Sequence, residues 1–323
     1  MPEGIAAQSN FPASKALIYS ATADFRHDSI PTAVQSMKTQ GPSYNVQFDQ
    51  TEDMTWFTDD TLATYDALVF LDNTGEVLDA DGQAALQRYI DKGGNFVAIH
   101  AASDCLRNST FMEKELGAHF DYHPQIQNAT IDVVGPSHPS TSMLPAQWPV
   151  FDEMYNFKSD PRAIGAVVIL SANESSYVDP GPRNFDQGTP HPTAWYQEHG
   201  AGTETGGTAG RSWYTSLGHT NETWQDSLYL AHVMNGITWA IQSGTTKATN
   251  ASALVGFASA NTTASSSAGS QPATGGAPGS TSTSATSSSP AAQTSTSAGT
   301  RSAASSLSLS LVLSLWAIFL YAL

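Results

Sequence analysis

Apolar positions arrive in short runs separated by polar loops. Residues 16–20 (ALIYS) are apolar and end in a polar loop, so they read as a buried strand. Asp28 or Ser29 can cap a following helix, with Pro31 in its first turn and Gly41-Pro42 at its end. Residues 44–48 alternate and read as a second strand. Residues 67–71 are almost continuously apolar and read as a third. Between Asp79 and Lys92, Ala84, Ala85, Leu86, Tyr89 and Ile90 predict a helix that stops at Gly93-Gly94. Residues 95–100 form a fourth strand. This alternation predicts an α/β domain with a mostly parallel sheet and helices on both faces. After residue 124 the pattern loosens. Residues 126–134 alternate as an edge or antiparallel strand would. Strands are expected at 166–170, 193–197 and 212–217, and a final helix at 228–241. The domain spans 15–244, after a disordered stretch over 1–14, with no repeat and no second core.

Behind it the pattern disappears. Residues 245–306 are dominated by Ser, Thr, Ala, Gly and Pro, too polar to offset chain entropy, and should form a disordered stalk. Residues 307–323 are apolar to the last residue. They fit a GPI-attachment signal, with Ser297, Ala298 and Gly299 near the cleavage point, better than a retained membrane anchor. Asn108, Asn128, Asn173 and Asn221 head glycosylation sequons, as do Asn250 and Asn261 in the stalk. A membrane-anchored, glycosylated protein of the cell surface is the expectation. Residues 1–15 lack the basic and apolar regions of a secretory signal, so a start further upstream is expected.

Charge sharpens the division. The chain of 323 residues has 29 acids and 13 bases, a net of −16. Beyond Lys247 the only charged residue is Arg301, so residues 1–247 carry 12 − 29 = −17. An acidic domain without basic patches excludes nucleic acid as a partner. One cysteine excludes a disulfide framework and a cysteine-based zinc site.

Ligands in open α/β sheets bind beyond the carboxyl ends of the strands. The first, third and fourth strands run into 22–28, 72–75 and 100–104, all rich in polar side chains. His27, His100, His123 and His219, with Glu153 and Asp104, are the candidate chemistry. One reading is a divalent-metal site, such as zinc, ligated by His27, His100, His123 and His219. The other is metal-free acid/base catalysis by His100, Glu153 and Asp104. Of Glu153 and Tyr155, only one is expected to face a given ligand, and Asp152 to fix a turn. Arg26 either grips a substrate or pairs with a surface acid. His138, His191 and His199 read as structural, and His232 as packed. No glycine fingerprint follows the first strand, which argues against a dinucleotide.

Several ordered blocks then match one family: FRHDSIP (25–31), GGNFVAIHAASD (93–104), LGAHFDYHP (116–124), SHPST (137–141), FDEMYNF (151–157), HPTAW (191–195), GRSWYTSLGHT (210–220) and HVMNGITWAI (232–241). Through them the chain resembles the trehalose-utilisation (ThuA-like) family. The resemblance implies a flavodoxin-like, class I glutamine amidotransferase-like fold and a role in sugar or keto-sugar metabolism. Glutamine amidotransferases place a nucleophilic cysteine after a strand, where this chain reads His100-Ala101-Ala102. Cys105 comes five residues later and reads as a small buried residue, so thiol-dependent glutamine hydrolysis is not expected. A small carbohydrate is the expected substrate, contacted by Arg26, His27, Asn73, Tyr155 and Trp195. Trp56 and Trp213 are further candidates for stacking on a sugar, or else core. Two functions follow: a surface-displayed hydrolase or lyase, or a catalytically inert cell-wall or sugar-binding module on a glycosylated stalk.

Overall fold

The computed structural model describes residues 13–245. The expected stalk, the apolar tail, Asn250, Asn261 and residues 1–12 lie outside the described residues. In chain order the elements are β1 (Ser14–Tyr19), α1 (Ile30–Gln40), β2 (Val46–Thr51), α2 (Asp59–Leu62), β3 (Ala67–Leu71), β4 (Thr74–Gly75), α3 (Ala80–Asp91), β5 (Asn95–Ile99) and β6 (Asp104–Cys105). They continue with α4 (Thr110–Leu116), β7 (Phe120–Tyr122), β8 (Gln127–Val133), β9 (Gln147–Asp152), β10 (Asn156–Phe157), β11 (Val167–Ala172), β12 (Pro192–Gln197), β13 (Ser212–Thr215) and α5 (Ser227–Ile241).

Nine strands form one sheet in the order β2-β1-β3-β5-β13-β12-β11-β8-β9. The first five are parallel to their neighbours, and β12, β11, β8 and β9 continue it antiparallel. The two faces explain the apolar runs. Ala16 and Ile18 of β1, Val69 of β3 and Val97 of β5 pack with α1 and α5 on one side. Leu17, Phe70 and Phe96 pack with α2, α3 and α4 on the other. Successive residues of a strand point to opposite faces, so strands covered on both sides must be apolar throughout.

Several boundaries shift for local reasons. Residues 41–44 form a 3-10 turn closed by Asn45 at φ 54°, so β2 begins at Val46, not at 44. His100 leaves the fourth strand at φ 53° and opens a 3-10 turn. The strand expected at 212–217 stops at Thr215. The alternating segment 126–134 is antiparallel, as expected, but β9 covers it and takes the edge. Among the described residues no helix is long and apolar enough to cross a membrane.

Candidate active site

Register brings the parallel strand ends together. Leu71 pairs with Ile99, and Ile99 with Thr215, so Asp72, His100 and Ser216 lie side by side where their strands stop. The loop after β1 adds His27, and the chain beyond Ser216 adds His219. Glu153 arrives from the opposite half of the sheet, directly after β9. One ligand atom from each of His27, His100, Glu153 and His219 lies within 4.8 Å of the others.

Backbone geometry holds each group. Gly218 adopts φ 135°, and a Cβ there would come within 2.5 Å of the Tyr229 hydroxyl and 3.3 Å of the His100 Cβ. Only glycine lets this turn pass close enough to carry His219 inward. Asp152 is buried and accepts from the backbone N–H groups of Glu153 (2.8 Å), Gly218 (3.0 Å) and His219 (3.3 Å), and from the Thr223 hydroxyl (3.3 Å). One carboxyl thus ties the Glu153 segment to the His219 segment.

The hydrogen bonds of His100 fix its tautomer. Its Nδ1 lies 2.6 Å from the Ser216 carbonyl, which can only accept, so Nδ1 carries the proton. Nε2 therefore presents a lone pair. Three groups face it: the Tyr155 hydroxyl at 3.0 Å, His27 Nε2 at 3.2 Å and Glu153 Oε2 at 3.6 Å. Burial first, then the neighbouring His27, holds His100 well below the usual imidazole pKa. Burial also lowers His27 to about 4, and its Nδ1 is buried without a partner. His219 moves the other way, because contact with Glu153 raises it. Its Nδ1 lies 3.2 Å from Glu153 Oε2. Two neutral imidazoles and an imidazole–carboxyl pair therefore converge on one point.

That set suits a divalent cation of the zinc class, which takes imidazole nitrogen and carboxylate oxygen. Tetrahedral ligands about 2.0 Å from zinc stand about 3.3 Å apart. The contacts of 3.2, 3.2 and 3.6 Å have that scale. His27 turns Nε2 to this centre, and its orphaned Nδ1 points away from that contact.

The profile of the trehalose-utilisation family matches residues 15–240. The chain belongs to the ThuA family. Its fold is similar to that of a ThuA-like protein from Bacteroides uniformis, with TM-score 0.59 and 21% identity, covering 74% of this chain and 95% of that one. A ThuA-like protein from Parabacteroides merdae is similar at TM-score 0.54 and 17% identity, covering 71% and 90%. No curated protein matches the chain in sequence.

The other residues singled out in the ThuA domain divide by where the fold puts them. Tyr155 joins the centre through His100. Tyr155 and Glu153 were expected to face apart, but residues two apart share a face of extended chain. Both reach the same nitrogen. His123 stands at the rim rather than in the tight set. Its Nδ1 lies 3.4 Å from Glu153 Oε1, but only 2.8 Å from its own neighbour's carbonyl, Pro124. Asp104 does not join Glu153 as a catalytic pair, because both its oxygens are engaged by Arg107 at 2.7 and 2.5 Å. Arg26 is exposed and pairs with Glu52 at 2.8 Å, the solvated alternative. Asn73 is buried and donates to the Ala21 carbonyl at 2.9 Å, so it shapes the loop beneath the site. Trp195 is buried core: its indole donates to the Leu116 carbonyl and its ring packs on Tyr214 and Phe157. Trp213 is fully buried as well. Cys105 is buried and donates to the Ala102 carbonyl, and burial pushes its thiol far above the usual range. A thiolate nucleophile has no place there.

Sequence reasoning missed Asp72 and Ser216. Asp72 sits beside His100 at φ 53°, buried, its carboxyl pushed well above the usual range by burial. Only its place at a strand end could have flagged it. The sequon residues Asn108 and Asn128 are exposed, while Asn173 and Asn221 are half-buried. Asn221 also holds the Thr32 hydroxyl.

Proposed function

We propose that this ThuA domain is a hydrolase or lyase acting on a sugar or keto-sugar, and that His27, His100, His219 and Glu153 hold a divalent ion such as zinc. The observation that carries the reading is the convergence of three imidazoles and one carboxyl at the carboxyl edge of the parallel strands. Family membership supports the carbohydrate class. A bound ion of this type polarises a sugar carbonyl or lowers the pKa of a water. The chain's own residues supply the rest. The Ser216 carbonyl keeps the His100 lone pair turned inward for the ion, which leaves the Tyr155 hydroxyl, 3.0 Å from the same nitrogen, free to turn its proton to a substrate oxygen. Glu153 turns Oε2 to the centre and Oε1 to His123 on the rim. That route suits proton exchange between a substrate hydroxyl and solvent.

The test is zinc content together with turnover of trehalose and its keto derivatives. His100→Ala and Glu153→Gln each remove a ligand, so both are expected to lower zinc content and, with it, turnover by at least about a hundredfold. Unchanged turnover in both variants sinks the mechanism. Sugar binding that survives both, with no metal and no turnover, favours the inert binding module instead.

The proposal includes display outside the cell on a glycosylated stalk. Exposed Asn108 and Asn128 and the composition of the tail support it. A protein that stays on cells treated with a phosphoinositide-specific phospholipase speaks against the lipid anchor.

A further inference from the structure

Phe25 is 64% exposed, the most exposed phenylalanine, tyrosine or tryptophan ring among the described residues. Its ring meets His27 edge to face at 4.8 Å. His27 in turn lies 4.7 Å from His100 and 5.0 Å from His219 between ring centroids. Phe25 therefore stands one ring away from the centre of the site and opens to solvent.

The loop that carries it is fastened. The Thr74 hydroxyl donates to the Phe25 carbonyl at 2.7 Å, and the Ala23 N–H donates to the Thr74 carbonyl at 2.8 Å. Gly75, at φ 74°, lets the loop lie close, since a Cβ there would come within 2.9 Å of Asp24 Oδ2. Arg107 adds a bridge between Asp24 (2.9 Å) and Asp104. An apolar ring left in water on an ordered loop loses burial energy without saving chain entropy.

A sugar ring has two kinds of surface. Its C–H groups form an apolar face, and its hydroxyls form a polar rim. Binding sites for such ligands combine an apolar wall with a few placed polar groups. Phe25 offers the first, and the His27–His100–His219–Glu153 group offers the second, a ring's width away. The tryptophans in β12 and β13 cannot serve, because Trp195 and Trp213 are buried.

We propose that Phe25 is the stacking platform for the apolar face of a pyranose ring whose hydroxyls reach the histidine–glutamate centre. This rests on the carbohydrate reading given above and names where that sugar sits. It makes Phe25 a binding and specificity residue.

The experiment uses the full chain loaded with zinc, and calorimetric titration with trehalose, methyl α-glucoside and the acyclic polyol sorbitol. Phe25→Ala, Phe25→Leu and Phe25→Trp are compared with the wild type. The side chain is on the surface, so all three should fold and keep the same zinc content. Phe25→Ala and Phe25→Leu should weaken both ring sugars about tenfold, while Phe25→Trp keeps or tightens them. Sorbitol, which lacks a ring face, should not respond to the substitutions. Unchanged sugar affinity in Phe25→Ala overturns the subsite alone, and so does a Leu variant that binds as well as wild type. A wild-type protein that holds zinc but binds neither ring sugar overturns the carbohydrate reading, and the subsite with it.

Discussion

Asp152 shows how much one side chain can decide. Three backbone N–H groups and one hydroxyl donate to it, and they belong to both sides of the candidate site. Burial raises its pKa to about 6, with the N–H groups of Gly218, Glu153 and His219 opposing. Asp152→Ala leaves buried donors without an acceptor. The expected loss is on the order of 3 kcal/mol in denaturant unfolding. Zinc affinity, read by competition with a chromophoric chelator, should fall at least about tenfold, as for other outer-shell partners. Wild-type zinc affinity in that variant would refute the positioning role. At this scale the sequence showed which residue types gather at strand ends, and His27, His100 and His219 follow from that, whereas Glu153 was a candidate with no strand predicted before it. It could not show direction. His123 turns to the Pro124 carbonyl beside it, Asp104 to the Arg107 side chain three residues on, and Trp195 into the core to Leu116, far away in sequence.

Among the elements, the long periodic ones were legible and the short ones were not. α3 and α5 have enough turns for their apolar spacing to repeat, with Asp79 and Asp226 capping their first turns. α4 has seven residues, too few for a period to show. β9 carries Pro149, which reads as a break in sequence but is tolerated on an edge strand. The same edge strand delivers Asp152 and Glu153. Packing between elements sets a further requirement at Gly236 in α5. A Cβ there would meet the buried Trp213 ring at 2.5 Å. The indole cannot swing away freely, since its N–H donates to the Ser140 hydroxyl at 3.3 Å. Gly236→Ala should therefore destabilise the domain by about 2 kcal/mol, despite the roughly 1 kcal/mol that alanine gains in helix propensity. A thermal melt that rises in this variant would show that α5 can shift off the sheet at little cost.

Across the whole molecule, buried ionisable groups away from the site give opposite slopes with pH. Burial lowers His138 and His232 from 6.5 to about 4. Between those values the unfolded chain binds more protons, so stability falls as pH drops from 6.5 toward 4. Glu115 is raised from 4.5 to about 8, chiefly by burial. Between those values the folded chain binds more protons, so stability falls as pH rises from 4.5 toward 8. Glu115→Gln should flatten the decline toward pH 8 and leave the acid-side loss in place. Melting curves recorded across that range check this, and identical slopes in variant and wild type would contradict it. The sequence by itself determined the layered α/β class, the parallel half of the sheet and the family, because strand burial and helix periodicity are local patterns that survive in one dimension. It also separated an acidic domain from a nearly uncharged rear segment. Only the tertiary structure decided which of the candidate residues share a point. The strand order places β1, β3, β5 and β13 side by side, and the far edge of the sheet brings Glu153 back to them. Contacts between residues far apart in sequence depend on how strands are ordered and where turns release them, and no local pattern encodes that.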